Sequence, residues 1–272
     1  MDPKLPPGSV LGHKRRSRQV AGLILTEACY AADVELAPHC HENAFFALML
    51  RGNGSDTTTR GTFSGGPATL IYHPAGETHA NRWYEAGSCF MIELGHAARD
   101  RLGDYAERLS SGSVIFSGPA VQLALQAYSE FCHFDGVSPL ALEGLVLELS
   151  AAVCRSALIR QPQTAPDWLR GLQQVLRDRL DENLSLLELA ASVGLHPGHL
   201  VRVFRRHCRC TPGQYVRRLR VEEACRELAR GKRSLAEIAL TTGFSDQSHL
   251  STTFKRHTGL TPAQFRKSLQ RR

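Results

Sequence analysis

The chain has 272 residues, 42% of them apolar, enough for globular cores and for one to three domains. Its formal charge of +7 is unevenly spread: residues 167–272 hold 20 Lys and Arg against 10 Asp and Glu, and residues 1–166 hold 13 against 16. No apolar run approaches 18 residues and the first 18 lack the apolar centre of a secretory signal, so neither a membrane span nor export is expected. A basic half joined to a mildly acidic one suggests a nucleic-acid module coupled to a module with a different partner. The eight cysteines are scattered without a CxxC pair, which fits reduced thiols and a cytoplasmic protein. Cys208 and Cys210 lie beside His207 but have no second ligand pair nearby, so they are not expected to hold a metal.

Residues 1–18 are proline-rich, then basic, and suggest a flexible tail whose Lys14–Arg18 run can touch phosphate. Residues 19–95 suggest short strands at Val20–Thr26, Val34–Ala37, Phe45–Arg51, Thr57–Phe63, Thr69–Tyr72 and Cys89–Leu94, separated by glycine and proline turns. Strands of this number and length imply a sandwich or a barrel. Among them stand Pro38-His39-Cys40-His41-Glu42, then Arg51-Gly52, then His73-Pro74-Ala75-Gly76-Glu77-Thr78-His79.

Together these resemble the two motifs of the cupin barrel. Cupin enzymes bind a metal through HxH, a glutamate a few residues on, and a PxGxxH histidine. His39, His41 and His79 match; the glutamate does not, because its place falls in Asn43–Phe46 and Glu42 adjoins the HxH directly. Three readings stay open for the histidines: contacts to an effector or to neighbouring backbone, a divalent metal held by three imidazoles, or a metal-dependent enzyme. The incomplete ligand set argues against the last, so no catalytic residue and no cofactor is expected. Trp83, Tyr84 and Phe90 can line the same cavity, though core packing is the commoner reading of such residues.

Residues 96–160 turn helical, with helices expected at Gly118–Cys132 and Ser138–Ile159, the second capped by Ser138 with Pro139 in its first turn. Its apolar residues, including Leu142, Leu145, Val146, Leu149 and Val153, exceed one face. The helix therefore either packs against its own barrel as a hairpin or pairs with a second chain, a homodimer through residues 119–160. Gln161–Pro166, two prolines among polar residues, marks a linker. Asp167 is placed to cap a helix reaching Asp181, which opens an all-α domain over 167–272.

That domain repeats itself. Ser185–His207 and Ser234–His257 share a Ser-x-x-Glu start, an apolar helical face, a glycine (Gly194, Gly243) and a second helix ending in basic residues. A Thr-Pro-x-Gln follows each copy, at Thr211 and Thr261. Ser245 is placed to cap the second helix of the second copy. Two helices joined by a tight glycine turn make a helix-turn-helix, whose second helix enters the major groove. The outward faces carry Arg202, Arg205, Arg206 and His207, then Gln247, His249, Thr252, Lys255 and Arg256, which suit guanine, adenine and phosphate.

The segment GFSDQSHLSTTFKRHTGLTPAQFR, from Gly243 to Arg266, resembles the signature of the AraC family of bacterial transcription regulators. The resemblance covers residues 167–268. It implies two helix-turn-helix units, at 185–207 and 234–257, bridged by one helix over Thr211–Arg230 and held about one duplex turn apart, roughly 34 Å. Matched by position, the base-reading sites are Gly198, Val201 and Arg202, then Gln247, Ser248, His249 and Thr252. Thr252 stands where many relatives place arginine and Gly198 has no side chain, so readout leans on Arg202, Gln247 and His249. The expected whole is an α+β multidomain protein: a cupin-like barrel (19–95) with a helical hairpin (96–160), a linker (161–166) and the double helix-turn-helix domain. The function implied is an activator of transcription. Its partners are double-stranded DNA, RNA polymerase and a small-molecule effector, the last bound near His39, His41, His79 and Trp83.

Overall fold

The computed structural model describes residues 2–59, 61–109, 113–115, 119–159, 166–208 and 210–270. Its N-terminal part contains β1 (Lys4–Leu5), β2 (His13–Val20), β3 (Leu23–Tyr30), β4 (Val34–His41), β5 (Ala44–Arg51), β6 (Gly54–Thr58), β7 (Gly61–Gly65), β8 (Leu70–His73), β9 (His79–Trp83) and β10 (Gly87–Leu94). These are followed by α1 (His96–Leu102), α2 (Tyr105–Leu109), β11 (Ser113–Ile115), α3 (Pro119–Cys132) and α4 (Ser138–Ile159). The C-terminal part is helical: α5 (Asp167–Asp178), α6 (Leu186–Ser192), α7 (Pro197–Cys208), α8 (Pro212–Arg230), α9 (Leu235–Thr241), α10 (Gln247–Thr258) and α11 (Pro262–Gln270).

The strands form two sheets, ordered β1-β4-β9-β6-β7 and β11-β8-β5-β10-β3-β2. No strand pairing joins one sheet to the other among the described residues, so the expected closed barrel is an open pair of facing sheets. Alternation along β5 and β10 shows what joins them instead. Phe45, Met49, Cys89 and Met91 cluster with Trp83 of the opposite sheet, while Phe46, Leu48, Leu50, Phe90 and Ile92 join the core beneath α3 and α4. Both faces of these two strands are covered, which is why they read as near-continuous apolar runs.

Several strands differ from expectation. Val20–Thr26 is not one strand but the tip of the β2–β3 hairpin, where Ala21 and Gly22 take φ of 52° and 74°, the left-handed pair that a two-residue hairpin turn requires. Thr57–Phe63 spans the β6–β7 hairpin. The flexible tail is replaced by β1 and β2, because β2 pairs along β3 from His13 to Val20 and its arginines have partners. Arg15 meets Glu27 at 2.6 Å, and Arg16 and Arg18 lie over the rings of Phe131 and Phe134. The apolar alternation that marks a half-buried strand is absent from HKRRSRQV, since its arginines act through stacking and ion pairing.

Helices α3 and α4 pack on one another, and α4 buries Leu142, Val146, Leu149 and Val153 while leaving Leu140 and Leu147 exposed. Ser138 does not cap α4 as expected: the Asp135 carboxylate accepts from Val137 and Ser138 backbone N–H, and Ser138 Oγ accepts from Asp135 N–H. The linker, apart from Pro166, lies outside the described residues, as does Gly118. Helix α5 begins at Asp167 itself, with Pro166 at the N-cap and no side-chain cap.

Helix α8 is buried nearly all round because it serves two cores. Tyr215 and Leu219 pack with α5, α6 and α7, whereas Val221, Ala224, Cys225 and Leu228 pack with α9, α10 and α11. The second core runs on into the one beneath the sheets. Helix α10 lies against α3, Gln122 hydrogen-bonds His257, and Arg15 donates to the Ser268 carbonyl at 3.2 Å.

Candidate DNA-reading faces and effector cavity

The two repeats share the same capping bonds. Ser185 Oγ accepts from Glu188 N–H at 3.2 Å and Glu188 Oε2 from Ser185 N–H at 2.7 Å; Ser234 and Glu237 repeat both bonds at the same lengths. Gly194 and Gly243 take φ of +66° and +80°, and the same bond closes each turn: Leu195 N–H to Ala190 O in the first and Phe244 N–H to Ala239 O in the second, both 2.9 Å. Thr211 with Gln214 and Thr261 with Gln264 form the matching boxes at the starts of α8 and α11. The cap of α10 differs from expectation: Asp246, not Ser245, accepts from His249 N–H, at 2.8 Å. An Asp carboxylate is the stronger acceptor at a helix N-terminus, and Ser245 Oγ is left to pair with Asp246 and His249.

On α7 and α10 the core takes one stripe, Leu200 with Phe204 and Leu250 with Phe254, all fully buried. The opposite stripe holds Gly198, Arg202, Arg205 and Arg206, and Gln247, Ser248, His249, Thr252, Lys255 and Arg256, every one exposed; Val201 is half-buried. Two supports went unnoticed in the sequence. His199 Nδ1 accepts from Arg202 at 3.0 Å, and Phe244 meets the His249 ring edge-on with centroids 5.3 Å apart. The i,i+3 spacing of His199 and Arg202 was the available signal. The two units are tied at their seam by Arg220 of α8, a buried guanidinium that donates to Leu180 O, Glu182 O and Asn183 Oδ1 at 2.9, 2.8 and 3.1 Å.

The second candidate site is a cavity of about 700 Å³, open mouth included, between the sheets. The register places its polar groups. Across β4 and β9, His39 faces His79, and His41 lies two residues along the same strand face. On the other side of β9, Asp56 of β6 faces Asn81. His73 enters from β8 in the opposite sheet. The structure thus brings His39, His41 and His79 together, with ring centroids 4.3 to 5.6 Å apart, and all three are buried. Trp83 lines the same cavity, stacked on Tyr30 at 4.6 Å. Tyr84 and Phe90 do not: Tyr84 is exposed and bonds Ser55, and Phe90 packs against Tyr128 and Phe131 on the far side of its sheet. Strand alternation places Phe90 opposite to Cys89 and Met91. Glu42 is exposed.

His73 and Asp56 were missed. His73 Nε2 bonds Asp56 Oδ2 and its Nδ1 bonds Glu77 Oε2, both at 3.0 Å, and Asn81 Nδ2 donates a second bond to Asp56 Oδ2 at 2.8 Å. Burial opposes a charge on His73, but the two carboxylates outweigh it and push its pKa up to about 9. Burial also opposes ionisation of Asp56, yet its hydrogen bond with His73 holds its pKa below the usual carboxylate range. His41 and His79 move the other way: burial, then neighbouring imidazoles, lower them to about 3 and about 4. At neutral pH the cavity therefore presents neutral His41 and His79 beside a charged, fully bonded His73. The histidine–carboxylate spacing of His73 and Glu77 was the only local hint of this arrangement.

A helix-turn-helix domain family matches residues 189–268. The chain is 38% identical over 102 residues to a probable transcription factor, PqrA, of Proteus vulgaris, covering 38% of this chain and 82% of that protein. It is 27% identical over 250 residues to the HTH-type transcriptional activator RhaR of Cronobacter sakazakii, covering 85% and 86%. It is 32% identical over 157 residues to a putative AraC-like transcription regulator of Streptomyces antibioticus, covering 54% of this chain and about half, 52%, of that relative's length.

Proposed function

Since the chain belongs to the AraC family of transcription regulators, we propose that it is a cytoplasmic activator whose α7 and α10 read operator DNA under the control of a small molecule bound between the sheets. The observation that carries this reading is the paired geometry: matching capping boxes on α6 and α9, two exposed polar helix faces and one shared helix, α8, holding them. A solvated helix face would not need to recur with the same caps and closing bonds.

Within this reading Arg202, Gln247 and His249 contact base edges, with Gly198, Val201, Ser248 and Thr252 at the groove floor. Arg205, Arg206, Lys255 and Arg256 contact phosphate. The effector occupies the cupin-like cavity beside His39, His41, His79 and Trp83. Its coupling to DNA follows the packing. Phe45 and Met49 of β5 face the cavity, their neighbours Phe46 and Leu48 face the helices, and α3 touches α10 near His257, leaving the Gln247 end free. An effector that binds two settings of this stack unequally shifts DNA affinity by that difference. RNA polymerase is the downstream partner, and the helical segment 119–160, with Leu140 and Leu147 exposed on α4, serves a homodimer. None of these roles requires catalysis.

The test begins with duplexes selected from a random pool by the purified chain, followed by anisotropy titration. Arg202→Ala and Gln247→Ala should each lose about 1–3 kcal/mol of discrimination at particular base pairs. Arg205→Ala or Lys255→Ala should weaken all duplexes and lower the salt slope by about 1. Uniform weakening by the first pair would remove them from base readout, and failure to select any sequence would sink the regulator reading.

A further inference from the structure

We propose that Arg217 of α8 binds a phosphate of the DNA backbone where the duplex crosses between the two recognition helices, so that the bridging helix is itself a DNA contact. The inference rests on the operator-binding reading above and adds a contact that neither repeat supplies.

Three observations carry it. The first is place. A cleft of about 1220 Å³, open mouth included, lies between the two helix-turn-helix units. It is lined by Val201 of α7 and His249 of α10, one residue from each reading helix, and by Thr211, Gly213 and Arg217 at the start of α8. With α7 and α10 in successive major grooves on one face of a duplex, the minor groove between them and its flanking strands face this cleft. Duplex DNA carries one negative charge per roughly 1.7 Å of axis, so phosphates come to lie against the groups that line it.

The second is a charge without a partner. Of the five arginines of α8, Arg218, Arg226 and Arg230 pair with Glu222, Glu223 and Glu227, and Arg220 is held by three oxygens at the seam. Arg217 is exposed and has no hydrogen bond or ion pair among the described residues. Its guanidinium lies along the first turn of the helix, with Nη1 3.9 Å from where a Cβ on Gly213 would stand.

The third is the sign of the surroundings. Glu182, the only carboxylate among the residues lining the cleft, is already paired with Arg179. Burial lowers the pKa of both Arg220 and His257, and the charge of Arg217 lowers each further. Arg217 thus stands among like charges, and a phosphate oxygen supplies the charge-assisted bond that no described side chain gives it.

The experiment uses the full chain and a duplex that it selects from a random pool. Anisotropy titrations compare that duplex with copies carrying one uncharged methylphosphonate at each successive position between the two half-sites. The parent should lose about 10-fold in affinity at one or two of these positions. Arg217→Ala should lose about 10-fold on the unmodified duplex, lower the salt slope by about 0.9, and be indifferent to methylphosphonate at those same positions. Arg217→Lys, which keeps the charge, should keep the salt slope. Thermal unfolding of both variants should match the parent, and a lowered midpoint would assign Arg217 a structural role instead. Parent affinity and salt slope in Arg217→Ala would overturn the proposal while leaving the regulator reading intact. So would a loss confined to particular base pairs, or a variant as sensitive as the parent at every spacer position. Failure of the parent to select any duplex would sink both.

Discussion

Gly194 and Gly243 hold the same place in the two repeats, but their surroundings differ, and that difference gives a quantitative test of how the two DNA-binding units are joined. Alanine at either must adopt a left-handed backbone, φ +66° or +80°, at a cost of about 1–2 kcal/mol. At Gly194 a Cβ would meet nothing within 4 Å, so the cost stops there. At Gly243 it would stand 2.5 Å from Leu180 O and 2.7 Å from Arg220 Nε, the two atoms of the 2.9 Å bond at the seam. Neither is a free end, since the carbonyl is backbone and the guanidinium is also held by Glu182 O and Asn183 Oδ1. Losing one hydrogen bond to a charged group adds about 1.5–3 kcal/mol. Gly243→Ala should therefore cost about 2.5–5 kcal/mol against about 1–2 kcal/mol for Gly194→Ala. Urea unfolding followed by far-ultraviolet circular dichroism and by tryptophan emission measures both, with Trp168 reporting on the first unit. Equal losses in the two variants, within about 0.5 kcal/mol, would refute the seam argument.

Phe204 and Phe254 are equivalent fully buried rings, in edge contact with Tyr215 and Phe265 respectively, so truncation of either to alanine should cost about 3–5 kcal/mol. Chemical denaturation decides this, and a loss below about 1 kcal/mol at either would mean its core is not packed as described. The capping boxes predict a pH dependence. The backbone bonds from Ser185 and Ser234 hold Glu188 and Glu237 below the usual carboxylate range, so their contribution is present above the unfolded value and is lost as pH falls through the folded one. Melting temperatures taken from pH 6 down to pH 3 should fall less steeply in a Glu188→Gln, Glu237→Gln double variant than in the parent, and identical slopes would contradict the assignment.

Elements whose bonds close within a few residues were legible before any fold was known. Ser185 and Glu188, Ser234 and Glu237, and Thr211 and Gln214 meet across three positions, and Gly194 and Gly243 answer a backbone angle at one position. Repetition doubled each signal, which made the C-terminal half legible almost residue by residue. His39, His41 and His79 were visible because their spacing resembles the two cupin motifs, although His79 comes beside His39 only after four intervening strands. Features that depend on pairing between distant strands emerged only with the fold. Asp56 reaches His73 across 17 residues, Arg15 reaches Ser268 across 253, and Gly8 N–H finds the Glu93 carboxylate across 85. No local pattern marks such bonds, so a stacked arginine strand resembled a tail and a buried carboxylate passed unnoticed. The open pair of sheets has the same origin. Alternation tells which side chains share a face, but whether the edge strands close on one another depends on backbone pairing between strands far apart in the chain, and none pairs β1 or β7 with β2 or β11 among the described residues.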